Sequence, residues 1–460
     1  MTKGVAGAHS LSGHFAKSAT RAGAFGGRPW REDGSRAPWR RLNEAVGLPS
    51  KATHQQTRAH NTALVLRALY DHGPISRAEV ARMSGLTRTT VGEVVAELVK
   101  GGLAREVGRG PSTGGKAPIL VELVDGARHV IGVDLGEFAF RAAVVDLRGR
   151  ELRTAERPVD GLNGAQALEV VYGLLDELIR DASGVLLGVG IGTPGIVDAP
   201  SGTIRWAVNL DWQDLPLGRL VAERYGVRVE VANDSRAAAL AILLFGDDDP
   251  ARRGSNLVAI KVGRGIGAGI VLGGELFHGD GAGAGEIGHV AVEDDGAECR
   301  CGRFGCLETV ASSRAIVEKA TRSAYAAPAS ALGRRLTQSV ADGRDRLALD
   351  DVRAALADGD PEAAAVVAAA GRYLGRAIAA LIGVLDVERI YLHGSVTQLG
   401  AAWLGAVRDE ARRRSLGPRA REVSIEVVPP MGDLVVRGAA GLLLTSELGL
   451  GAGPAAAAAR

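Results

Sequence analysis

Three features of the sequence predict an α/β protein built from two or three domains. The chain has 460 residues, more than one ordinary domain contains. Apolar residues make up 46% and glycines number 64, so the chain can form α/β cores and is too apolar to be disordered throughout. From about Val130 onward, apolar strand patterns alternate with helical ones, which is typical of a parallel-sheet α/β body.

Basic charge is concentrated at the N-terminal end of the chain. Residues 1–118 contain eighteen Lys and Arg against eight Asp and Glu, which gives +10, whereas the remainder carries −8. This asymmetry favours a polyanionic partner for the front alone; a basic tail that serves only solubility is the alternative. Residues 1–58 lack periodicity and are predicted to be a disordered basic arm, and residues 449–460 a disordered tail.

Three short helices are predicted in the N-terminal module. Asn61 is the expected N-cap of the first helix, and the segment His72-Gly73-Pro74 ends it. Ser76 and Glu79 have the spacing of a capping box, which opens a second helix through Met83.

A glycine turn, Ser84-Gly85-Leu86, separates the second helix from a third that Thr87 caps. Helix, short turn and helix is the pattern of a helix-turn-helix. Hydrogen-bonding side chains in the first turn of the third helix lie where a recognition helix meets base edges and phosphates. The predicted buried stripe of this helix is Val91, Val94, Val95 and Leu98.

Strands over 103–107 and 119–123 can pair as a β-hairpin, with a flexible basic tip over 108–116 suited to a backbone or minor-groove contact. We therefore predict a winged helix-turn-helix over residues 59–124 that binds double-stranded operator DNA. The alternative is a winged helix used for protein contacts or dimerisation. The candidate DNA-binding residues are Arg77, Thr87, Arg88, Thr89, Thr90 and Lys116.

The body contains a series of glycine-rich and acidic segments. They are Asp134-Leu-Gly136, Gly188-Val-Gly-Ile-Gly-Thr-Pro-Gly195, Asn233-Asp234, Gly263-Arg-Gly-Ile-Gly-Ala-Gly269, Gly285-Glu-Ile-Gly-His289 and Cys299-x-Cys301-Gly-x-x-Gly-Cys306-x-Glu308. In this order the segments resemble the ROK family, named for repressors, open reading frames and sugar kinases, over about residues 60–445. The helix-turn-helix places the chain with the transcriptional-repressor branch of that family.

The resemblance implies a two-lobed, actin-like ATPase fold of the sugar-kinase type over residues 128–448. It also implies that a monosaccharide or sugar-phosphate effector binds in the cleft. Hexose recognition needs several groups that hold vicinal hydroxyls by hydrogen bonds, whereas an isolated Asn-Asp pair would more often form a turn. The candidate effector-binding residues are Asn209, Asn233, Asp234, Glu286, His289 and Glu308.

The three cysteines all lie between residues 299 and 306, a clustering that favours a metal site over a disulfide framework. Glycines between the thiols permit a tight chain reversal, and a nearby imidazole completes a tetrahedral set. His289 precedes Cys299 by ten residues, which matches the family's pattern. The expected ligands of a structural zinc are therefore His289, Cys299, Cys301 and Cys306; idle thiols or a redox pair are the alternatives.

An ATP-dependent sugar kinase is the alternative function, with Asp234 as the base that takes the hydroxyl proton. Kinases of this family have Gly-Thr-Lys after the first Asp-x-Gly; here Glu137-Phe138-Ala139 puts an acid and a bulky ring where phosphate should lie. Gly263-Arg264-Gly265 replaces Gly-Thr-Gly, and Leu392-His393-Gly394-Ser395 replaces paired glycines. We therefore expect no catalytic residue and no ATP or magnesium, although Arg264 could grip a phosphate.

No signal peptide is expected, because the N-terminus never develops a continuous apolar segment. The Ala-rich stretch 363–385 is interrupted by Arg372 and Arg376, and this predicts a buried helix of a soluble protein rather than a membrane span. We expect a cytoplasmic homodimer or homotetramer without membrane contact, since two-fold operators favour symmetric assemblies.

Overall fold

The N-terminal module consists of three helices and a small antiparallel sheet. The strands lie in the order β1-β3-β2, so the predicted hairpin forms and gains a short third strand. The elements are α1 (His54–His72), β1 (Ile75–Ser76), α2 (Arg77–Ser84), α3 (Arg88–Lys100), β2 (Ala104–Arg109) and β3 (Ile119–Leu123). The computed structural model describes residues 54–111, 117–159, 161–180, 184–246, 256–417, 422–429 and 431–450.

Local signals in this module act as the sequence predicts. The Ser76 hydroxyl accepts from the Glu79 amide at 3.2 Å, and a Glu79 carboxylate oxygen accepts from the Ser76 amide at 2.9 Å, so the capping box forms. Gly85 has a φ of 70°, the left-handed conformation that ends α2. Thr87 caps α3, and the predicted valine and leucine stripe of this helix is buried.

The first helix begins earlier than predicted. It starts at His54, so Asn61 lies inside α1 and is not its N-cap. Residues 54–60 contain neither Gly nor Pro, and an ion pair between Arg58 and Glu97 joins this part of α1 to α3. The boundary of the arm at residue 58 is therefore wrong, whereas residues 1–53 lie outside the described residues.

The first lobe of the body is built on a five-stranded sheet in the order β11-β7-β4-β5-β6. The strands of this lobe are β4 (His129–Leu135), β5 (Ala139–Val145), β6 (Glu151–Pro158), β7 (Leu186–Thr193), β8 (Ile196–Asp198), β9 (Thr203–Ala207), β10 (Trp212–Leu215) and β11 (Arg228–Asn233). Its helices are α4 (Gly164–Arg180), α5 (Leu217–Tyr225) and α6 (Asp234–Phe245). Strands β8, β9 and β10 form a small side sheet.

The second lobe contains another five-stranded sheet, in the order β14-β13-β12-β15-β16. Its strands are β12 (Leu257–Val262), β13 (Ile266–Leu272), β14 (Glu275–Leu276), β15 (Arg389–His393) and β16 (Ser424–Val427). The helices that follow β14 are α7 (Glu308–Ala311), α8 (Ser313–Ala326), α9 (Ala331–Ala341), α10 (Leu349–Ala357), α11 (Pro361–Leu385), α12 (Gly400–Arg414) and α13 (Leu434–Leu448).

Each large sheet is mixed, although the sequence pattern predicted parallel sheets. Adjacent strands with short connections, such as β4 and β5 or β12 and β13, pair antiparallel as hairpins. Strands joined through longer crossovers pair parallel, as β4 does with β7 and β12 with β15. The carboxyl ends of these parallel strands face the cleft, which is where ligands bind in open α/β sheets.

Helix α13 returns to the first lobe and packs closely on α6. A Cβ at Gly438 would lie 1.7 Å from the carbonyl oxygen of Ala237, so only glycine permits this approach. The predicted tail does not begin at residue 449, because Leu450 is 1% exposed and belongs to the apolar cluster of the N-terminal module. Residues 451–460 lie outside the described residues.

The Ala-rich stretch forms α11, as predicted. Among the described residues, α11 is the one helix whose length and composition would suit a membrane span, and 50% of its apolar window is buried in the protein. Val366, Leu374 and Ile378 of α11 belong to the core of the second lobe. These contacts identify α11 as a core helix.

Candidate functional site

A cavity of about 550 Å³ opens between the two large sheets. Residues from both lobes line it, among them Glu137 of the β4–β5 turn and Lys261 of β12. The structure brings all six predicted effector-binding residues to this cavity: Asn209, Asn233, Asp234, Glu286, His289 and Glu308. Several polar groups that converge on one concave site are the usual form of a small-molecule pocket.

Asn233 and Asp234 lie where β11 ends and α6 begins. Asn233 Oδ1 accepts from the Ser235 backbone amide at 2.9 Å, and Asn233 Nδ2 donates to the Gly195 carbonyl oxygen at 3.0 Å. Asp234 Oδ1 accepts from the Ser235 amide at 2.6 Å and from its hydroxyl at 3.1 Å. Asn233 thus caps α6 and ties it to the β7–β8 turn, and both side chains are held in a fixed position.

The remaining carboxylates of the cavity are Glu286 and Glu308. Burial, reinforced by the charge of Asp234, raises the pKa of Glu286 to about 7, whereas Arg236 opposes this rise. Glu308 Oε2 accepts from the Ile266 amide at 3.1 Å. Near neutral pH Glu286 can therefore donate or accept a hydrogen bond, which suits a hydroxyl ligand.

Sequence reasoning missed three side chains that also line the cavity: Lys261, Arg300 and Trp206. Lys261 Nζ donates to Asp234 Oδ2 at 2.6 Å, and Arg300 donates to Asn209 Oδ1 at 2.8 Å. Trp206 remains 45% exposed, so its ring offers an apolar surface to a ligand. The available signal for Lys261 was a single charge within the apolar strand β12.

The predicted metal ligands converge. One ligand atom from each of His289, Cys299, Cys301 and Cys306 lies within 4.8 Å of every other. His289 Nδ1 is 3.6 Å from Cys299 Sγ, and the sulfurs of Cys301 and Cys306 are 3.7 Å apart. One imidazole and three thiols form a donor set that zinc prefers, so these residues fit a metal ion.

Glycines shape this metal loop. Gly302 and Gly305 have φ values of 81° and 70°, and a Cβ at Gly305 would lie 1.8 Å from the Glu293 carbonyl oxygen. Glycine is therefore required at the second position, where the chain turns back toward Cys306. Glu308 follows directly at the start of α7, so the loop and the cavity share one segment.

The predicted DNA-binding residues differ in how they are engaged. Thr87 Oγ1 accepts from the Thr90 amide at 3.1 Å and lies 2.9 Å from the Thr90 hydroxyl, so this pair caps the helix. Arg77 donates to Glu106 at 2.8 Å. Arg88 and Thr89 are exposed at the first turn of α3, and Lys116 lies outside the described residues.

Comparison with known proteins identifies the family. Residues 130–445 match the ROK family, and residues 57–111 match the MarR family. The chain belongs to the ROK family. The expected fold class is confirmed: an α/β chain with a winged helix-turn-helix and an actin-like, two-lobed ROK domain.

Named relatives include regulators of this family. The xylose repressor of Caldicellulosiruptor bescii is 28% identical over 406 residues, which cover 86% of this chain and 98% of that protein. The DNA-binding transcriptional dual regulator NagC of Escherichia coli is 31% identical over 359 residues, 75% of this chain and 83% of that protein.

Solved structures include both a regulator and an enzyme of this family. A ROK family transcriptional regulator, described as a homologue of the E. coli MLC protein, superposes with a TM-score of 0.72 at 27% identity and covers 85% of this chain and 99% of its own. A ROK family glucokinase from Streptomyces griseus, in complex with glucose and AMPPNP, gives a TM-score of 0.60 at 31% identity over 68% of this chain and 98% of its own. The fold alone therefore does not separate regulator from kinase.

The loops expected to hold phosphate in a ROK kinase contact each other in this ROK domain. The Arg264 amide donates to Glu137 Oε2 at 3.2 Å, and Arg264 Nε lies 3.9 Å from Glu137 Oε1. Burial raises the pKa of Glu137 above its usual value, although the charge of Arg264 opposes this rise. Phe138, which the sequence predicts to lie where a kinase holds phosphate, is 63% exposed and does not line the cavity.

Two buried polar groups, one from each lobe, lie near Lys261. Asp134 Oδ1 and His393 Nε2 have no hydrogen-bond partner among the described residues. Burial, together with the charge of Asp433, raises the pKa of Asp134 to about 8, although Lys261 opposes the rise. Burial and the charge of Lys261 lower the pKa of His393 to about 3. Both groups are therefore mainly neutral at pH 7.

Proposed function

We propose that this protein is a sugar-responsive transcriptional regulator, most simply a repressor of carbohydrate-metabolism genes. The N-terminal module binds double-stranded operator DNA, and a monosaccharide or sugar phosphate binds in the ROK cleft. The observation that carries this proposal is the convergence of Asp234, Glu286 and Glu308 on one cavity in a chain that also folds a helix-turn-helix. The named relatives, a xylose repressor and NagC, support the same assignment.

The packing supports a link between the two binding functions. One continuous apolar cluster joins the DNA-binding module to the body; it contains Val65, Leu69 and Leu98 of the module, Val145 and Leu147 of the first lobe, and Leu443 and Leu444 of α13. Arg148 stacks on the Tyr70 ring at 4.2 Å and donates to the Tyr70 carbonyl at 2.6 Å. A ligand that favours one arrangement of the lobes therefore acts on a module that is packed against them.

Helix α6 provides a physical connection between these regions. It begins at Asp234 in the cavity and ends at Phe245, whose ring packs against the apolar cluster of the module. Because a helix is stiff along its axis, displacement of its first turn by a ligand is transmitted to its last turn.

A titration tests the proposal. Labelled DNA from upstream of the protein's own operon is titrated with protein at several salt concentrations, with and without D-xylose, N-acetylglucosamine and D-glucose. We expect salt-sensitive binding, because phosphate contacts release counterions, and a change in affinity with at least one sugar. Absence of salt-sensitive binding to this DNA would contradict the regulator assignment.

We also propose that the metal of the His289 and cysteine cluster is a structural zinc. The protein fills all four positions of a tetrahedral site, so none remains for a reactive water. The ion would hold the loop from His289 to Glu308 and thereby shape one wall of the cavity. Folding free energy accompanies such binding.

The second candidate function is an ATP-dependent sugar kinase, since Asp234 occupies the position of a base and a ROK glucokinase has a similar fold. We propose that this chain does not phosphorylate sugars. Phosphoryl transfer depends on positioning and charge neutralisation, and the Glu137–Arg264 pair places an acid where phosphate charge would develop. A coupled assay with ATP, magnesium and the three sugars should give background only; turnover near ~1 s⁻¹ that Asp234→Asn abolishes would make the protein a kinase.

We propose a DNA-binding domain over 59–124, extended to His54 by α1, and a ROK domain over 128–448. We further propose a cytoplasmic homodimer or homotetramer, because a two-fold operator matches a symmetric protein. Sedimentation of the protein with and without operator DNA tests the assembly.

A further inference from the structure

Lys261 lies where the two lobes meet at the cavity. It belongs to β12 of the second sheet, whereas its partner Asp234 follows β11 of the first. The distance from Lys261 Nζ to Asp234 Oδ2 is 2.6 Å, and the two side chains are 25% and 9% exposed. The pair therefore joins the lobes beside the predicted effector-binding groups.

The charge of Lys261 is balanced by Asp234. Burial opposes the ammonium, but Asp234, which also accepts its hydrogen bond, holds the pKa of Lys261 above its usual value. His393, which faces Lys261 on the neighbouring strand β15, is neutral, and Asp134 carries its proton at pH 7. Lys261 is therefore in direct contact with one carboxylate, that of Asp234, at a distance that gives a strong charge-assisted hydrogen bond.

An ammonium group has three N–H donors. Within the described part of the chain, Lys261 gives one of them to Asp234 in a hydrogen bond, and the side chain lines the cavity. Asp234 Oδ1 is engaged by Ser235, and Oδ2 by Lys261. A ligand oxygen at this place therefore meets N–H donors of Lys261 next to the acceptor Asp234.

We propose that Lys261 is an effector-binding residue that fixes Asp234 in place and donates a hydrogen bond to a sugar oxygen. A hydroxyl bound there lies between the donor Lys261 and the acceptor Asp234. The site therefore selects a ligand oxygen that can accept a hydrogen bond. The fixed ammonium also balances the charge of Asp234 within the chain. The inference rests on the proposed function, since it concerns the same cavity.

The test measures sugar affinity by calorimetry with D-xylose, N-acetylglucosamine and D-glucose for the wild type and three variants. Lys261→Met removes the charge at similar length, and Lys261→Arg keeps the charge but moves the donors into a planar fork. The matched control is Lys319→Met, an exposed lysine of α8. Zinc content and melting temperature report whether each variant folds.

We expect Lys261→Met to lower sugar affinity about 10- to 100-fold, the loss typical of a hydrogen bond from a charged group. Lys261→Arg keeps the positive charge, so it should fold like the wild type. Because its donors lie in a planar fork, it should bind sugar at least about ten-fold more weakly. If Lys261 were only a structural cation, this variant would bind sugar as the wild type does. Lys319→Met should bind as the wild type does. If Lys261→Met does not fold, the sugar affinity of Lys261→Arg alone tests the proposal.

Single-deoxy analogues of whichever of the three sugars binds provide a second readout. Removal of the hydroxyl that Lys261 contacts should weaken binding to the wild type and have little further effect in Lys261→Met or Lys261→Arg. Wild-type affinity in a folded Lys261→Arg, or equal losses for every analogue in all proteins, would overturn the role of Lys261 and leave the proposed function intact. A wild type that binds none of the sugars would instead overturn the proposed function, and Lys261 with it.

Discussion

The two sides of the ROK cleft treat charged groups differently. On the side that we propose binds sugar (the sugar side), Asp234, Glu286 and Glu308 face a cavity of about 550 Å³ and are held by backbone amides, an ammonium or burial. On the phosphate side Glu137 is paired with Arg264. Lys261 and Asp234 are 2.6 Å apart and 25% and 9% exposed, whereas Arg264 and Glu137 are 3.9 Å apart and 45% and 23% exposed, so the first pair is held more firmly than the second. In the DNA-binding module, Arg88 is exposed at the first turn of α3, whereas Arg77 is paired with Glu106.

The largest effect should come from the metal loop, which supports the sugar side. Cys301→Ser removes one of four ligands, so we expect loss of the bound metal and of sugar binding together. Metal analysis and calorimetry on the same preparation measure both. A preparation without metal that binds sugar normally would show that the loop does not shape the cavity.

The next effect concerns the carboxylates of the sugar side. Glu286→Gln and Asp234→Asn should each weaken sugar binding about 10- to 100-fold, because a charged acceptor or a buried carboxyl group is replaced by an amide. They should also abolish the effect of sugar on DNA affinity. Glu223→Gln, at an exposed residue of α5, is the matched control. Unchanged calorimetric affinity in both cleft variants would remove these residues from the site.

In the DNA-binding module, Arg88→Ala should cost about 1–3 kcal/mol of specific binding if Arg88 contacts a base. Arg88 has no ion pair or hydrogen bond within the described ranges, whereas Arg77 is paired with Glu106 at 2.8 Å. Arg77→Ala should therefore change DNA affinity less. Titration of the DNA from upstream of the operon, and of a scrambled version of it, measures both variants. A larger loss of DNA affinity for Arg77→Ala than for Arg88→Ala would contradict this prediction.

The raised pKa of Asp134 predicts a pH effect on stability. Its pKa is raised to about 8 from an ordinary value of 3.8, so the unfolded chain loses the proton before the folded one does. Stability associated with Asp134 is then present below about pH 4 and lost as pH rises toward 8, at up to about 1.4 kcal/mol per pH unit. Asp134→Asn removes this loss, so the difference in unfolding free energy from the wild type should grow in favour of the variant between pH 5 and 7. A difference in unfolding free energy that stays constant from pH 5 to 7 would show that the pKa of Asp134 lies near its ordinary value.

The smallest effect is expected for the Glu137–Arg264 pair. Arg264 is 45% exposed, so a double-mutant cycle with Glu137→Ala and Arg264→Ala should give a coupling of about 0.2–1 kcal/mol in unfolding free energy. Neither variant should gain ATP-dependent thermal stabilisation. A large shift with ATP and magnesium in the wild type would contradict the difference between the two sides of the cleft.

Local chemistry made much of the fold predictable. The capping box at Ser76 and Glu79, the left-handed Gly85 and the cap at Thr87 depend on neighbours in sequence, and each forms as predicted. The ordered series of glycine and acidic motifs indicated the ROK fold, and all six predicted effector-binding residues line one cavity. Where a contact partner is distant, prediction failed: Asn61 lost its capping role because α1 continues to His54, where Arg58 reaches Glu97.

Short-range geometry and ordered motifs were enough to predict the caps at Ser76 and Thr87, the four residues that meet at the metal loop and the residue types around the cavity. Which charges neutralise each other depends on how the two lobes pack. Lys261 meets Asp234 and Arg264 meets Glu137 because the two sheets bring together strands and turns that are 27 and 127 residues apart. Pairing of this kind depends on the packing of the lobes, and no local sequence pattern encodes it.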